Sequence, residues 1–195
     1  MVRRLALVLA LLLPLGCGGN ESPDRADRGS FRKGPVSIRG WFAEIDAGAP
    51  PPEVFSVTEP NARISPHQSR LFEQTSISLE DVPYASGGVA DNGSFIILDA
   101  PPGRLTINMQ APGVPLVQMN LESIPANADV FIPGIRLLPD RFEILEPEKI
   151  LIRVPTRGSE RRMTGQRGIV GGHPVEIWEV PLREMMDRRD WPVPT

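Results

Sequence analysis

The chain has 195 residues, 22 of them proline and 18 glycine, with 41% hydrophobic residues and a formal charge of −3. Proline stands well above its usual share of about 5%, so the chain is rich in turns while keeping enough apolar residues for a core. The modest acidic excess excludes the basic footprint by which proteins hold nucleic acid, and a single cysteine, Cys17, excludes an intrachain disulfide.

The first residues read MVRRLALVLALLLPLGCGG. Arg3 and Arg4 precede an apolar run from Leu5 to Leu15, and small residues follow. That order predicts a secretory signal peptide over residues 1–16. A bilayer-crossing helix needs about 20 apolar residues, and Pro14 would break one near its end. Cys17 stands directly behind the run, and the segment Pro14-Leu15-Gly16-Cys17 resembles a lipobox, in which the cysteine is lipidated and the chain is cut just before it. Gly16 and Cys17 match the pattern; Pro14 takes a place usually held by leucine or a similar residue. The resemblance implies a diacylglyceryl group and a further acyl chain on Cys17. The protein would then sit on the exported side of the outer or cytoplasmic membrane without crossing it. Each buried CH₂ contributes about 0.8 kcal/mol, and two or more chains give stable anchoring. The alternative is an ordinary signal peptide with an incidental cysteine. Loss of Arg3 and Arg4 with the signal takes the charge from −3 to −5.

Residues 17–34 are polar and of mixed charge, too poor in apolar surface to offset their ordering entropy, and predict a lipidated cysteine followed by a flexible tether. Residues 35–45 (PVSIRGWFAEI) and 53–58 (EVFSVT) read as strands around a stiff AGAPPP turn. Residues 59–69 lack periodicity and read as a loop or insertion. Residues 71–81 resume β character, with Ile77 and Leu79 on one face. Asp91-Asn92-Gly93 is a strong turn signal, and SFIILD follows as a strand whose run Ile96 to Leu98 predicts burial on both faces or a central place. After Pro101-Pro102-Gly103, Leu105, Ile107 and Met109 alternate inward, with Thr106 and Asn108 outward. Val117, Met119 and Leu121 repeat the alternation beyond Pro112-Gly113, and residues 129–138 make a further strand interrupted at Pro133-Gly134. Short strands at such intervals predict an all-β, antiparallel sandwich.

The run ADNGSFIILDAPPGRLTINMQAPG resembles the core of carboxypeptidase-regulatory-like domains, within the transthyretin-like and Cna-B-like β-sandwiches. Asp91, Phe95, Pro101, Pro102, Gly103 and Gly113 hold the matching places. The likeness covers residues 35–140, its specific part lying in 91–113. The interval between the 53–58 strand and Asp91 is longer than the family's pattern. The resemblance implies a transthyretin-like sandwich serving as an accessory module, for folding, positioning or envelope binding, and carries no catalytic residues. Residues 141–195 lie beyond it as a β-rich extension that either completes the sandwich or builds a small subdomain. ILIRV and PVEIWEV read as strands in it, 156–172 as a charged, glycine-rich connection, and LREMMDRRD as a short helix.

Chemistry-bearing motifs are sparse. His67 and His173 each lie beside proline without the spacing of a zinc site. No G-x-S-x-G is present, GIVGG lacks the ending of a phosphate loop, and the acidic residues at 143–148 match no calcium loop. Lys33 and Lys149 are the only lysines available for the isopeptide bond of some Cna-B-like relatives. Neither catalytic residue, cofactor nor metal is therefore expected. Trp178 and Trp191 are the candidate partner-binding residues, since aromatic side chains anchor protein or glycan partners; for Trp41 and Trp178 the competing reading is partial burial in strands. Arg157, Arg161, Arg162 and Arg167 form either a basic patch or a solvated loop. The expected function is a membrane-anchored, non-catalytic envelope lipoprotein acting as a binding or structural module. The alternatives are an accessory subunit of an envelope transport or secretion assembly and a hydrolase with an unrecognised site.

Overall fold

Alternating apolar positions build most of the strands. The structure is a computed structural model that describes residues 35–47 and 64–186. The signal peptide, Cys17, the tether, the expected 53–58 strand and Trp191 lie outside the described residues. The first strand, β1 (Val36–Ile45), buries Val36, Ile38, Phe42 and Ile45. Next comes a short helix, α1 (Pro66–Glu73), in a region whose sequence reads as loop and then strand. Its start is encoded locally: the Ser65 hydroxyl accepts from Gln68 N at 3.2 Å, and Pro66 sits in the first turn. Leu71 and Phe72 are its only buried residues, too few to make a helical stripe legible in the sequence. The Gln68 amide extends β1, donating to Ile45 O at 2.9 Å and accepting from Ile45 N at 3.0 Å.

Strands β2 (Ser76–Leu79), β3 (Val82–Gly88), β4 (Ser94–Ala100), β5 (Gly103–Ala111), β6 (Val114–Ile124) and β7 (Asp129–Leu137) follow. Leu105, Ile107 and Met109 on β5 face the core with Val117, Met119 and Leu121 on β6. On the opposite face the Thr106 hydroxyl donates to Asn120 Oδ1 at 3.1 Å, and Gln118 Nε2 donates to Asn108 Oδ1 at 3.0 Å. The turn residues act as the sequence predicts. Gly103 and Gly113 have φ of 110° and 76°, conformations that glycine adopts without steric cost. Between β3 and β4, Gly93 has φ of 81°, while Asn92 Oδ1 accepts from Ser94 N at 3.0 Å. Phe95 is buried, its ring centroid 5.6 Å from that of Phe42. It lies opposite Gly40, where an added Cβ would stand 2.3 Å from Ile132 O and 2.8 Å from the Phe95 ring.

One expectation for β4 is overturned. Ile97 is fully buried, but Ile96 and Leu98 are 41% and 49% exposed. The strand pairs with β1 on one side and meets the end of β3 at the Val89–Phe95 bridge on the other, and its outer face meets solvent. The strand buried on both faces is β7, whose Asp129 to Ile135 are all buried.

The remaining strands are β8 (Phe142–Ile144), β9 (Leu151–Thr156), β10 (Arg162–Val170) and β11 (His173–Pro181), followed by the short helix α2 (Leu182–Met185). Residues 162–170, expected within a connection, are thus a strand; Gly165 (φ 76°) marks the irregularity in its pairing with β11. All eleven strands belong to one sheet in the order β3-β2-β5-β6-β10-β11-β9-β7-β1-β4, with β8 attached to β7. The fold is mostly β with a short C-terminal helix. Most neighbours are antiparallel, but β1–β7 and β9–β11 are parallel. The sheet turns back on itself, for its end strands β3 and β4 meet at the Val89–Phe95 bridge. Inner faces from both halves fill one core, which takes Ile150, Ile152, Val170, Val175 and Ile177 from beyond residue 141.

Candidate functional site

The parallel pairing of β9 with β11 sets Ile177 beside Ile152 facing the core, and hence Trp178 beside Arg153 on the outer face. The row continues in both directions: Met163 on β10 opposes Trp178, and Asp129 on β7 opposes Arg153. One register line across four strands therefore reads Met163, Trp178, Arg153, Asp129. The adjacent line holds Arg167 against Glu176, and Leu151 against Phe131.

Charges in the row are buried and held. Arg153 and Asp129 are each 7% exposed, and Arg153 Nη2 donates to Asp129 Oδ2 at 3.0 Å. Arg39 on β1 brings its Nε to 3.6 Å from Asp129 Oδ1. Burial raises the Asp129 carboxyl above the ordinary value of 3.8, against the opposing pull of the Arg153 hydrogen bond and of both guanidinium charges. Beside them Trp41 and Phe131 pack with ring centroids 5.3 Å apart.

A depression of about 540 Å³ opens over β9 and β11. Trp178, half-buried, forms part of its wall with Leu151, Pro147 and Val180, and Arg153, Arg161, Glu176 and Glu148 supply the polar lining. The volume falls within the range of small-molecule sites, which combine an apolar wall with a few placed polar groups. Most of its charges are neutralised in place. Arg153 is bonded to Asp129, Arg161 to Glu184 on α2, and Glu176 to Arg167 on β10. Arg162 likewise pairs with Glu179. Arg162 and Arg167 are thus cross-strand partners of glutamates on β11. Arg157 and Arg161 lie in the exposed loop before β10, with Arg161 paired to Glu184 of α2. The expected basic patch is largely neutralised, and the solvated-loop reading holds for Arg157 and Arg161.

Of the sequence-derived candidates, Trp178 lines this depression, while Cys17 and Trp191 lie outside the described residues. His67 is exposed at the start of α1 and His173 half-buried at the start of β11, so the fold does not bring them together in one element. Among the described residues no group of three or more His, Cys, Asp or Glu is placed to hold a metal. Lys149 is exposed, with its ammonium on Glu146. Asp129, Arg39 and the role of Arg153 were missed by motif reading. Their signal was a charge inside an apolar strand, the arginine of ILIRV, whose partner sits far away in sequence on β7.

No family model, curated protein or solved structure matches the chain.

Proposed function

We propose that the protein is a non-catalytic lipoprotein of the bacterial cell envelope. Cys17 carries the lipid, residues 18–34 are the tether, and the β domain is a binding or structural module on the exported side of the membrane. The observation that carries this reading is the placement of the only cysteine directly behind a basic start and an apolar run. Lipidation at that point would hold the domain at the surface with no spanning segment. In the described part, no helix is long and apolar enough to cross a membrane. The depression beside Trp178 supports the binding role, since half-buried aromatic residues next to fixed polar groups are the usual make-up of a recognition site. We read the domain as a relative of the carboxypeptidase-regulatory-like sandwiches. Support comes from Phe95 as a core plug and from the turn glycines Gly103 and Gly113.

The test is metabolic labelling with a clickable fatty acid, followed by detergent-phase partitioning. Wild type should take up label and enter the detergent phase, while Cys17→Ser should lose both. Unchanged labelling and partitioning of Cys17→Ser overturn the anchor.

A further inference from the structure

We propose that the depression over β9 and β11 is a subsite for a neutral saccharide unit, stacked on the face of Trp178. This rests on the reading of the domain as an envelope binding module and names the ligand class of that site. Three features of the lining select the class.

The first is the indole itself. Trp178 is half-buried among Leu151, Pro147 and Val180, an apolar wall of the kind that accepts a ligand's C–H face. The second is the geometry of the polar groups. Guanidinium and carboxylate groups are planar and present paired donors or acceptors. Arg153, Arg161 and Glu176 line the same depression as the indole and supply both kinds, a complement to adjacent hydroxyls that each donate and accept. The third is charge. Each of these groups already faces an opposite charge: Arg153 that of Asp129 at 3.0 Å, Arg161 that of Glu184 and Glu176 that of Arg167, both at 2.5 Å. Only Glu148, at the exposed edge beside Lys149, lies outside those pairs. An anionic ligand would find guanidinium groups whose charge is already balanced, and a cationic one would find the same of Glu176. A neutral polyol exchanges hydrogen bonds with such groups without disturbing the pairs. Because ion pairs hold the polar groups in place, little side-chain entropy is lost when a ligand binds.

The experiment titrates the full chain in detergent micelles with tetra-N-acetylchitotetraose, maltotetraose and cellotetraose, with tetragalacturonate as the anionic control and a proline-rich peptide as the macromolecular control. Calorimetry gives the affinity, and two-dimensional NMR follows the indole N–H resonance of Trp178, assigned with Trp178→Tyr. At least one neutral tetrasaccharide should bind and shift that resonance. Trp178→Ala should weaken its binding at least about tenfold, as truncation of an aromatic anchor does, and Trp178→Tyr should weaken it less. If the alanine variant fails to fold, the wild-type resonance and the tyrosine variant still decide. Binding of tetragalacturonate or the peptide alone, binding that leaves the Trp178 resonance unmoved, or no binding of any neutral sugar in the millimolar range overturns the proposal. Fatty-acid labelling of the same preparation separates the two readings: a lipidated Cys17 without sugar binding removes this inference and leaves the envelope role standing.

Discussion

Asp129 offers a test of what holds the outer face together, because its charge and its hydrogen-bonding capacity can be removed separately. Burial raises its folded-state pKa, so the charge itself is disfavoured there despite Arg153 and Arg39. Asp129→Asn keeps an acceptor for Arg153 Nη2, now at 3.0 Å, and discards the charge, so the bond falls from a charge-paired one to a bond between a charged and a neutral group. We expect a cost of about 1 kcal/mol, the difference between those two kinds of bond. Asp129→Leu removes the acceptor from a guanidinium that is 7% exposed, and breaking a buried pair on one side costs about 3 kcal/mol or more. In a domain of this size that loss lowers the midpoint of thermal unfolding by about 6–12 °C. Adding Arg153→Met to Asp129→Leu should recover most of it, since replacing both partners by apolar groups is often neutral. Urea unfolding at pH 7, read at constant m-value, measures all three. The pH dependence has a definite sign. With the folded pKa above the unfolded one, the folded chain binds the proton more tightly. Acidification through the folded pKa towards 3.8 therefore stabilises wild type relative to Asp129→Asn. An Asn variant as unstable as the Leu variant, or a difference that moves the other way with pH, would refute the reasoning.

Two further outcomes follow from the sheet. On β4, Ile97→Ala should cost about 2–5 kcal/mol, whereas Ile96→Thr and Leu98→Thr should each stay within about 0.5 kcal/mol; equal costs in urea unfolding would place all three inside the core. A chain ending at Asp140 should show no cooperative unfolding transition by near-ultraviolet circular dichroism, because it lacks six residues of the core, Ile144, Ile150, Ile152, Val170, Val175 and Ile177.

The sequence was most legible where a strand has one wet face. Alternation on β5 and β6 placed Leu105, Ile107, Met109, Val117, Met119 and Leu121 inward, and their burial agrees. The turns were legible for the same local reason, glycine at positive φ in Gly93, Gly103 and Gly113. What failed depended on position in the sheet. Three consecutive apolar residues on β4 look like a buried strand, yet only the face carrying Ile97 is covered, and the face carrying Ile96 and Leu98 meets solvent like that of β5. In β7, Asp129 argues against burial by type, but Arg153 and Arg39 arrive from other strands to accept it. The parallel partners of β1 and β9 were illegible too, since periodicity within a strand says nothing about the direction of its neighbour. Trp178 was readable as a candidate because an aromatic residue stands out in PVEIWEV; the depression around it required residues 147–153, Arg161 and β11 to meet.

Arg153 belongs both to the buried ionic row and to the wall of the depression, and under the proposed binding role this shared membership would tie stability to recognition. A guanidinium on a flexible stem would lose rotamer freedom on meeting a ligand. The hydrogen bond to Asp129 has already fixed it, with the pairing of β9 to β7 bringing the two backbones into register. The cost of placing the group is therefore carried by folding, and under the proposed saccharide role a ligand would meet a preorganised donor. The proposed role would also account for a charge at a position where leucine could serve the sheet but would offer the depression no donor. The neighbouring pairs repeat the logic, with Glu176 held by Arg167 and Arg161 held by Glu184. All three polar groups beside Trp178 are thus positioned from behind by a partner on another element. If the proposed saccharide site is occupied, each group fixed in this way lowers the entropy lost on binding.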